Sequence, residues 1–199
     1  MKHLVLALAT IATLGSAHAQ TYPAPANTAS ANPARFLLGM GLSAGGDELA
    51  KAHYEDGTNV NLHGGGLIYF TAGVDYHFTP TFSVQGTVNY HVDRANARNG
   101  DVKFERIPVE LIGYYQPNPG WRVGGGVRYS NSPKLSGSGI GSGLDLDFDS
   151  STGAIIETEW FTSAHVGFKV RYVNEKLKPR GGYAEIDGSH VGVSANYYF

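Results

Sequence analysis

His190-Val-Gly-Val-Ser-Ala-Asn-Tyr-Tyr-Phe199 alternates apolar with small or polar residues up to an aromatic last residue. Side chains of a β-strand point to opposite faces with period two. Val191, Val193, Ala195, Tyr197 and Phe199 therefore share one face, and His190, Gly192, Ser194 and Asn196 share the other. A strand whose apolar face is complete and whose opposite face is small and polar suits hydrocarbon on one side and a polar interior on the other.

Seven further runs upstream carry the same pattern. The first places Phe36, Leu38, Met40 and Leu42 on one face, and the second places Ile68, Phe70, Ala72, Val74, Tyr76 and Phe78 there. After a tight Thr79-Pro-Thr81 turn, the third sets Phe82, Val84, Gly86, Val88, Tyr90 and Val92 against Ser83, Gln85, Thr87, Asn89, His91 and Asp93. The fourth offers Ile107, Val109, Leu111, Gly113 and Tyr115, and the fifth Trp121, Val123, Gly125, Val127 and Tyr129. The sixth carries Ile156, Thr158 and Trp160, and the seventh Val166, Phe168, Val170 and Tyr172. None of these apolar faces contains an ionised side chain, which at the bilayer midplane would cost about 2–4 kcal/mol for Arg or Lys. Pro108 cannot donate to a ladder, so a bulge is expected near it, with a phase shift that turns Phe104 rather than Glu105 to lipid and leaves the facing of Arg106 open. Phe36, Phe78, Phe82, Tyr115, Trp121, Trp160 and Phe199 fall at one end of their strands and predict an interfacial girdle, with Tyr90, Tyr129 and Tyr172 near the other end.

The amino-terminal part reads differently. Lys2 and His3 precede an apolar stretch from Leu4 to Leu14 and the small-residue site Ala17-His-Ala19, the pattern of a secretory signal over residues 1–19. That stretch is shorter than the roughly 20 apolar residues a transmembrane helix needs. Residues 20–34, rich in Ala, Pro, Asn and Thr, read as a flexible periplasmic linker, and residues 35–199 as the barrel. The 199 residues include no Cys, which excludes a disulfide scaffold and a lipid-modified amino terminus, and the net charge of −2 excludes a polycation built for nucleic acid. The mean hydropathy of −0.19 does not argue against a membrane, because only alternate residues of a barrel meet lipid.

Short connections around Pro80, Asn118 and Ala164 lie at the end shared with both termini, so that end is expected to be periplasmic. The surface loops are then approximately Gly45 to Gly64, Arg94 to Asp101, Asn131 to Gly153 and Asn174 to Gly188. Val109-Glu-Leu-Ile-Gly-Tyr-Tyr115, Trp121-Arg-Val-Gly-Gly-Gly-Val-Arg-Tyr129, Pro133-Lys-Leu-Ser-Gly-Ser-Gly139 and Tyr197-Tyr-Phe199 together resemble small bacterial outer-membrane barrels related to the OmpA transmembrane domain. The resemblance implies the outer membrane of a Gram-negative bacterium and an all-β, eight-stranded antiparallel up-and-down barrel. It also implies a terminal strand read by the barrel-assembly machinery through Tyr197 and Phe199. It does not fix an activity, since fold and function separate in this group. No residues follow Phe199, so a cell-wall-binding role is not expected.

Chemistry would have to lie in the lumen. Pairing the sixth and seventh runs through Ala164 sets Glu159 against Lys169 and Glu157 against Arg171, with Glu110, Arg122 and Arg128 projecting inward nearby. Each glutamate has a basic partner that holds it ionised, so an ionic plug is expected rather than an acid–base pair. An eight-stranded interior is only just wide enough for side chains to fill. His53, His63, His77, His91 and His190 lack ligand spacing, and Asp145-Leu-Asp-Phe-Asp149 lacks the glycine and terminal glutamate of a calcium loop. The alternation of Leu144, Leu146 and Phe148 with Asp suggests the sixth strand continuing above the bilayer. Arg128-Tyr-Ser-Asn131 resembles the His-x-Ser-Asn segment of lipid A deacylase barrels, but arginine stands where the general base belongs. Neither an enzyme nor a cofactor or metal is expected. The predicted role is a monomeric structural or surface-interaction barrel whose partners are outer-membrane lipid, lipopolysaccharide and an unidentified ligand of the loops. The alternative is a narrow conduit of the OmpW-like kind.

Overall fold

The computed structural model describes residues 33–53, 59–63, 68–97, 100–137, 145–181 and 184–199. The expected signal and all of the linker but its last two residues lie outside them. The strands are β1 (Ala34–Gly45), β2 (Glu48–His53), β3 (Asn59–His63), β4 (Ile68–His77), β5 (Phe82–Ala97), β6 (Gly100–Asn118), β7 (Trp121–Gly137), β8 (Leu146–Asp147), β9 (Ser151–Phe161), β10 (Val166–Asn174), β11 (Lys176–Leu177), β12 (Ile186–Asp187) and β13 (His190–Tyr198). The eight long strands pair antiparallel in the order β6-β5-β4-β1-β13-β10-β9-β7, and β7 returns to β6 to close the ring. Closure removes every open edge, which a sheet must do to cross hydrocarbon.

The carboxyl-terminal strand β13 is the seam of this ring. Met40 lies opposite Ala195 and Leu42 opposite Val193 on β1, while Phe168 faces Ala195 and Val170 faces Val193 on β10. The Phe199 amide donates to the Phe36 carbonyl at 2.9 Å, which ties the last residue into the first strand. Outward apolar residues remain exposed on all eight strands, as a lipid-facing wall requires. Six of the seven predicted girdle residues, Phe36, Phe78, Phe82, Tyr115, Trp160 and Phe199, are among the exposed large hydrophobics, and Trp121 is half-buried, with its indole N–H on Thr158 Oγ at 2.6 Å. Phe82 and Tyr115 meet across β5 and β6 with their rings tilted by 38° and 5.2 Å between centroids.

Two local expectations require correction. Burial alternates without interruption along β6 from Val102 to Tyr114, so Phe104 and Arg106 point inward and Glu105 outward. The irregularity exists, but its extra residue lies in the partner strand: Glu105 pairs with Lys134 and Ile107 with Asn131, so β7 advances three residues while β6 advances two. Ser132 adopts φ +39° in that interval. Pro108 stays in phase, and the bulge in β7 takes up the defect. Second, the barrel wall is taller than the loop boundaries implied. Arg94 to Asp101 is mostly strand, since β5 runs to Ala97 and β6 begins at Gly100, and β7 extends to Gly137. The expected continuation of the sixth strand above the bilayer is present: β8 pairs with β7 in the register that β9 keeps, the two separated by Phe148 to Ser150. Leu146 and Asp147 form β8, paired with Leu135 and Lys134 of β7, and Phe148 turns inward. The first surface loop contains the β2–β3 hairpin, in which His53 lies opposite Asn59 and His63 opposite Glu48.

Candidate functional site

The inward faces meet in an interior filled by charge. Among the described residues, Arg106, Arg122, Arg128, Lys169 and Arg171 are buried, and so are Asp75, Glu110, Glu157, Glu159 and Glu175, five of each sign. Leaving any one of them unpaired in a low-dielectric interior would cost several kcal/mol. The arrangement avoids this by giving every carboxylate at least one cation within 4 Å.

Nearest the periplasm, Arg122 is saturated. Its Nε donates to Glu159 at 2.8 Å, and its terminal nitrogens donate to Asp75 at 3.0 Å, Gln85 at 3.0 Å, Tyr198 at 2.8 Å and Ser83 at 3.3 Å. The guanidinium also lies 3.8 Å from the centre of the Tyr114 ring. A planar fork with five donors suits this; an ammonium would not reach as many partners. Gly124 makes the stacking possible, because a Cβ there would lie 2.6 Å from Tyr114. Arg122, Gly124, Gly126 and Arg128 thus alternate inward along β7, cations at the ends and space between them.

The register places Glu159 opposite Lys169 and Glu157 opposite Arg171. Arg171 keeps its cross-strand partner Glu157, while Lys169 reaches one step along the ladder. Lys169 donates to Glu157 at 2.9 Å and stands 3.9 Å from Glu159, whose nearer cation is Arg122. Arg171 bridges Glu110 at 2.7 Å and Glu157 at 3.0 Å. Tyr114 donates to Glu157 as well. Arg128 lies 3.7 Å from Glu110 and 3.5 Å from Glu175.

Residues outside the predicted set complete the network. Asp75 is bound by Arg122 and by Arg35 at 3.0 Å, and its place on the inner face of β4 was legible from the same alternation. Glu175, 3.1 Å from Arg106, follows β10 in a stretch read as loop, so no periodicity marked it. Above Arg106 and Glu175, Val102, Phe104, Leu135, Phe148 and Leu177 form a buried apolar cluster, with Leu146 and Ile186 against it. Strands β5 to β7 rise beyond the membrane belt, and this cluster lies at the outer end of the barrel with side chains drawn from β6, β7, β8, β11 and β12 and from Phe148.

His91 and His190 sit between the network and the cap, whereas His77 lies near the opposite end beside Asp75. Ser130 is buried in the wall's inner face. No group of three or more His, Cys, Asp or Glu able to hold a metal occurs among the described residues.

A closed antiparallel ring with an apolar exterior and an ion-paired interior defines a transmembrane β-barrel. The family model described as outer membrane protein beta-barrel domain matches residues 6–199, so the chain belongs to that family and resides in the outer membrane. A search of curated protein sequences finds no match. Among solved structures, the Neisserial surface protein A is similar over 84% of this chain and 98% of its own, with 14% identity and a TM-score of 0.54. The attachment invasion locus protein Ail of Yersinia pestis, in complex with the heparin analogue sucrose octasulfate, is similar over 83% of this chain and 97% of its own, with 16% identity and a TM-score of 0.54. At these identities the likeness concerns the fold.

Proposed function

We propose that the protein is a closed, non-catalytic barrel that presents its outer loops to lipopolysaccharide. The observation that carries the reading is the filled interior: a charge-balanced network fills the lumen, and an apolar cluster lies at its outer end. Such an interior favours a closed barrel over a conduit, which requires a hydrated path. Catalysis on lipid is disfavoured by placement. Ser130 faces the lumen rather than the acyl chains, Arg128 holds the position of a base without being able to accept a proton, and His91 is occupied as a hydrogen-bond acceptor for Arg128 at 3.0 Å.

The outer surface is the part left available. Lys134, Lys176, Lys178 and Arg180 are exposed beyond the outer tyrosines, where phosphorylated head groups lie. Lys134 pairs with Asp147 at 3.8 Å, Lys176 with Glu185 at 3.7 Å and Arg180 with Asp149 at 3.2 Å. Exposed pairs of this kind contribute about 0–1 kcal/mol, so phosphate can displace the carboxylates at little cost. The test is retention of purified barrel on lipopolysaccharide-coated beads. Wild type is expected to bind, and the quadruple change of Lys134, Lys176, Lys178 and Arg180 to Gln is expected to release it while leaving the folded barrel intact. Absence of binding by wild type contradicts the reading.

A further inference from the structure

The two inward histidines beneath the cap are held in a way that makes the closure depend on their being neutral. Arg128 donates one terminal nitrogen to His190 Nε2 at 3.2 Å and the other to His91 Nε2 at 3.0 Å. A guanidinium has donors only, so each Nε2 must present a lone pair. His190 Nδ1 donates to the Gly188 carbonyl at 2.8 Å, which fixes that tautomer. The two imidazoles lie 5.8 Å apart, and His91 stacks on Tyr69 at 4.8 Å.

Charged groups surround the pair, and on β5 itself Asp93 shares the face of His91 two residues further on and has a partner of its own. Arg106 faces the pair from β6 and Arg128 from β7, Arg171 projects from β10, and the carboxylates are Glu110 of β6, Glu175 above β10 and Glu157 of β9. These carboxylates are already engaged by the three arginines. A proton added to either imidazole would convert its acceptor into a donor directed at a guanidinium, inside a layer whose carboxylates Glu110, Glu157 and Glu175 are already bound to arginine.

We infer that His91 and His190 form an acid-sensitive latch for the outer mouth of the barrel. The latch is coupled to the cap through the backbone. Gly188, which anchors His190, donates its amide to the Glu175 carbonyl at 2.9 Å, and the Glu175 amide donates to Ser189 Oγ at 3.3 Å. The segment from Glu175 to Gly188 carries Leu177 and Ile186 of the apolar cluster. Protonation that pushes His190 away from Arg128 therefore pulls on the strap that supplies part of the cap. The open form, in which both rings meet water, binds protons more readily than the closed one. Falling pH consequently shifts the population toward the open form. The inference is independent of what the loops bind.

Amide hydrogen exchange of the purified full barrel, read as the protection factor of the Gly188 amide that bonds to the Glu175 carbonyl, tests it. Wild type is expected to be protected at about pH 7 and to lose at least about tenfold of that protection at about pH 5, across the range in which histidine titrates. In His91→Gln/His190→Gln, the amide oxygen keeps an acceptor toward Arg128 without titrating, and the protection is expected to be the same at both values. A wild type that stays protected in acid, or a double variant that loses protection with it, overturns the latch. Imidazole NMR of wild type covers the case in which the variant does not fold: both rings are expected to protonate over the pH range of opening. Rings that remain neutral while protection falls overturn the inference equally.

Discussion

Arg122 uses all three guanidinium nitrogens on buried partners from β4, β5, β9 and β13, which makes it the side chain whose loss exposes the most. Arg122→Met is expected to lower unfolding free energy by about 3–5 kcal/mol, because Asp75 and Glu159 remain behind as buried charges. Urea unfolding in lipid vesicles measures this, and a loss below about 1 kcal/mol would show that water compensates the lumen. The same reasoning orders the Lys169 couplings. A double-mutant cycle of Lys169→Met with Glu157→Gln should give a larger interaction energy than one with Glu159→Gln, following distances of 2.9 and 3.9 Å. Equal couplings would indicate that register rather than contact governs the pair. The cross-strand partners were legible in sequence because a register fixed by the Ala164 turn determines which residues oppose. The one-step reach of Lys169 was not legible, since it depends on how far its side chain extends along the barrel axis.

At the scale of the element, β7 absorbs the irregularity that Pro108 of β6 suggested. Ser132 carries the resulting φ of +39°, a conformation in which a Cβ is strained and glycine is not. Ser132→Gly is expected to leave stability unchanged or raise it by up to about 1 kcal/mol, and Ser132→Val to lower it by about 1–2 kcal/mol. Unfolding midpoints of the two variants provide the comparison, and a stabilising valine would contradict the strain. At the seam, removal of Phe199 deletes a girdle aromatic and the amide that bonds to Phe36, and reduced outer-membrane yield is the expected result. Strand faces were readable wherever one side meets lipid, because a single chemical requirement repeats every second residue. β11 and β12 escaped that periodicity. They are two residues long, lie above the bilayer, and bury their apolar side chains against the mouth rather than in a periodic wall.

For the whole molecule, wall and interior answer different constraints. The wall is apolar because lipid cannot hydrogen-bond, and the interior is ionic because eight strands leave only enough room for side chains to satisfy one another. The buried charges sum to zero among the described residues, and Phe104, Leu135, Phe148 and Leu177 form a buried apolar cluster above them. Closure at neutral pH is thus the property on which the surface role rests. Liposome swelling with the reconstituted barrel at about pH 7, where unperturbed histidine is largely neutral, measures it most directly. Vesicles carrying the barrel are expected to exclude small sugars and amino acids at the rate of protein-free vesicles; swelling that rises with protein content and falls with solute size would show an open lumen and contradict the closed barrel.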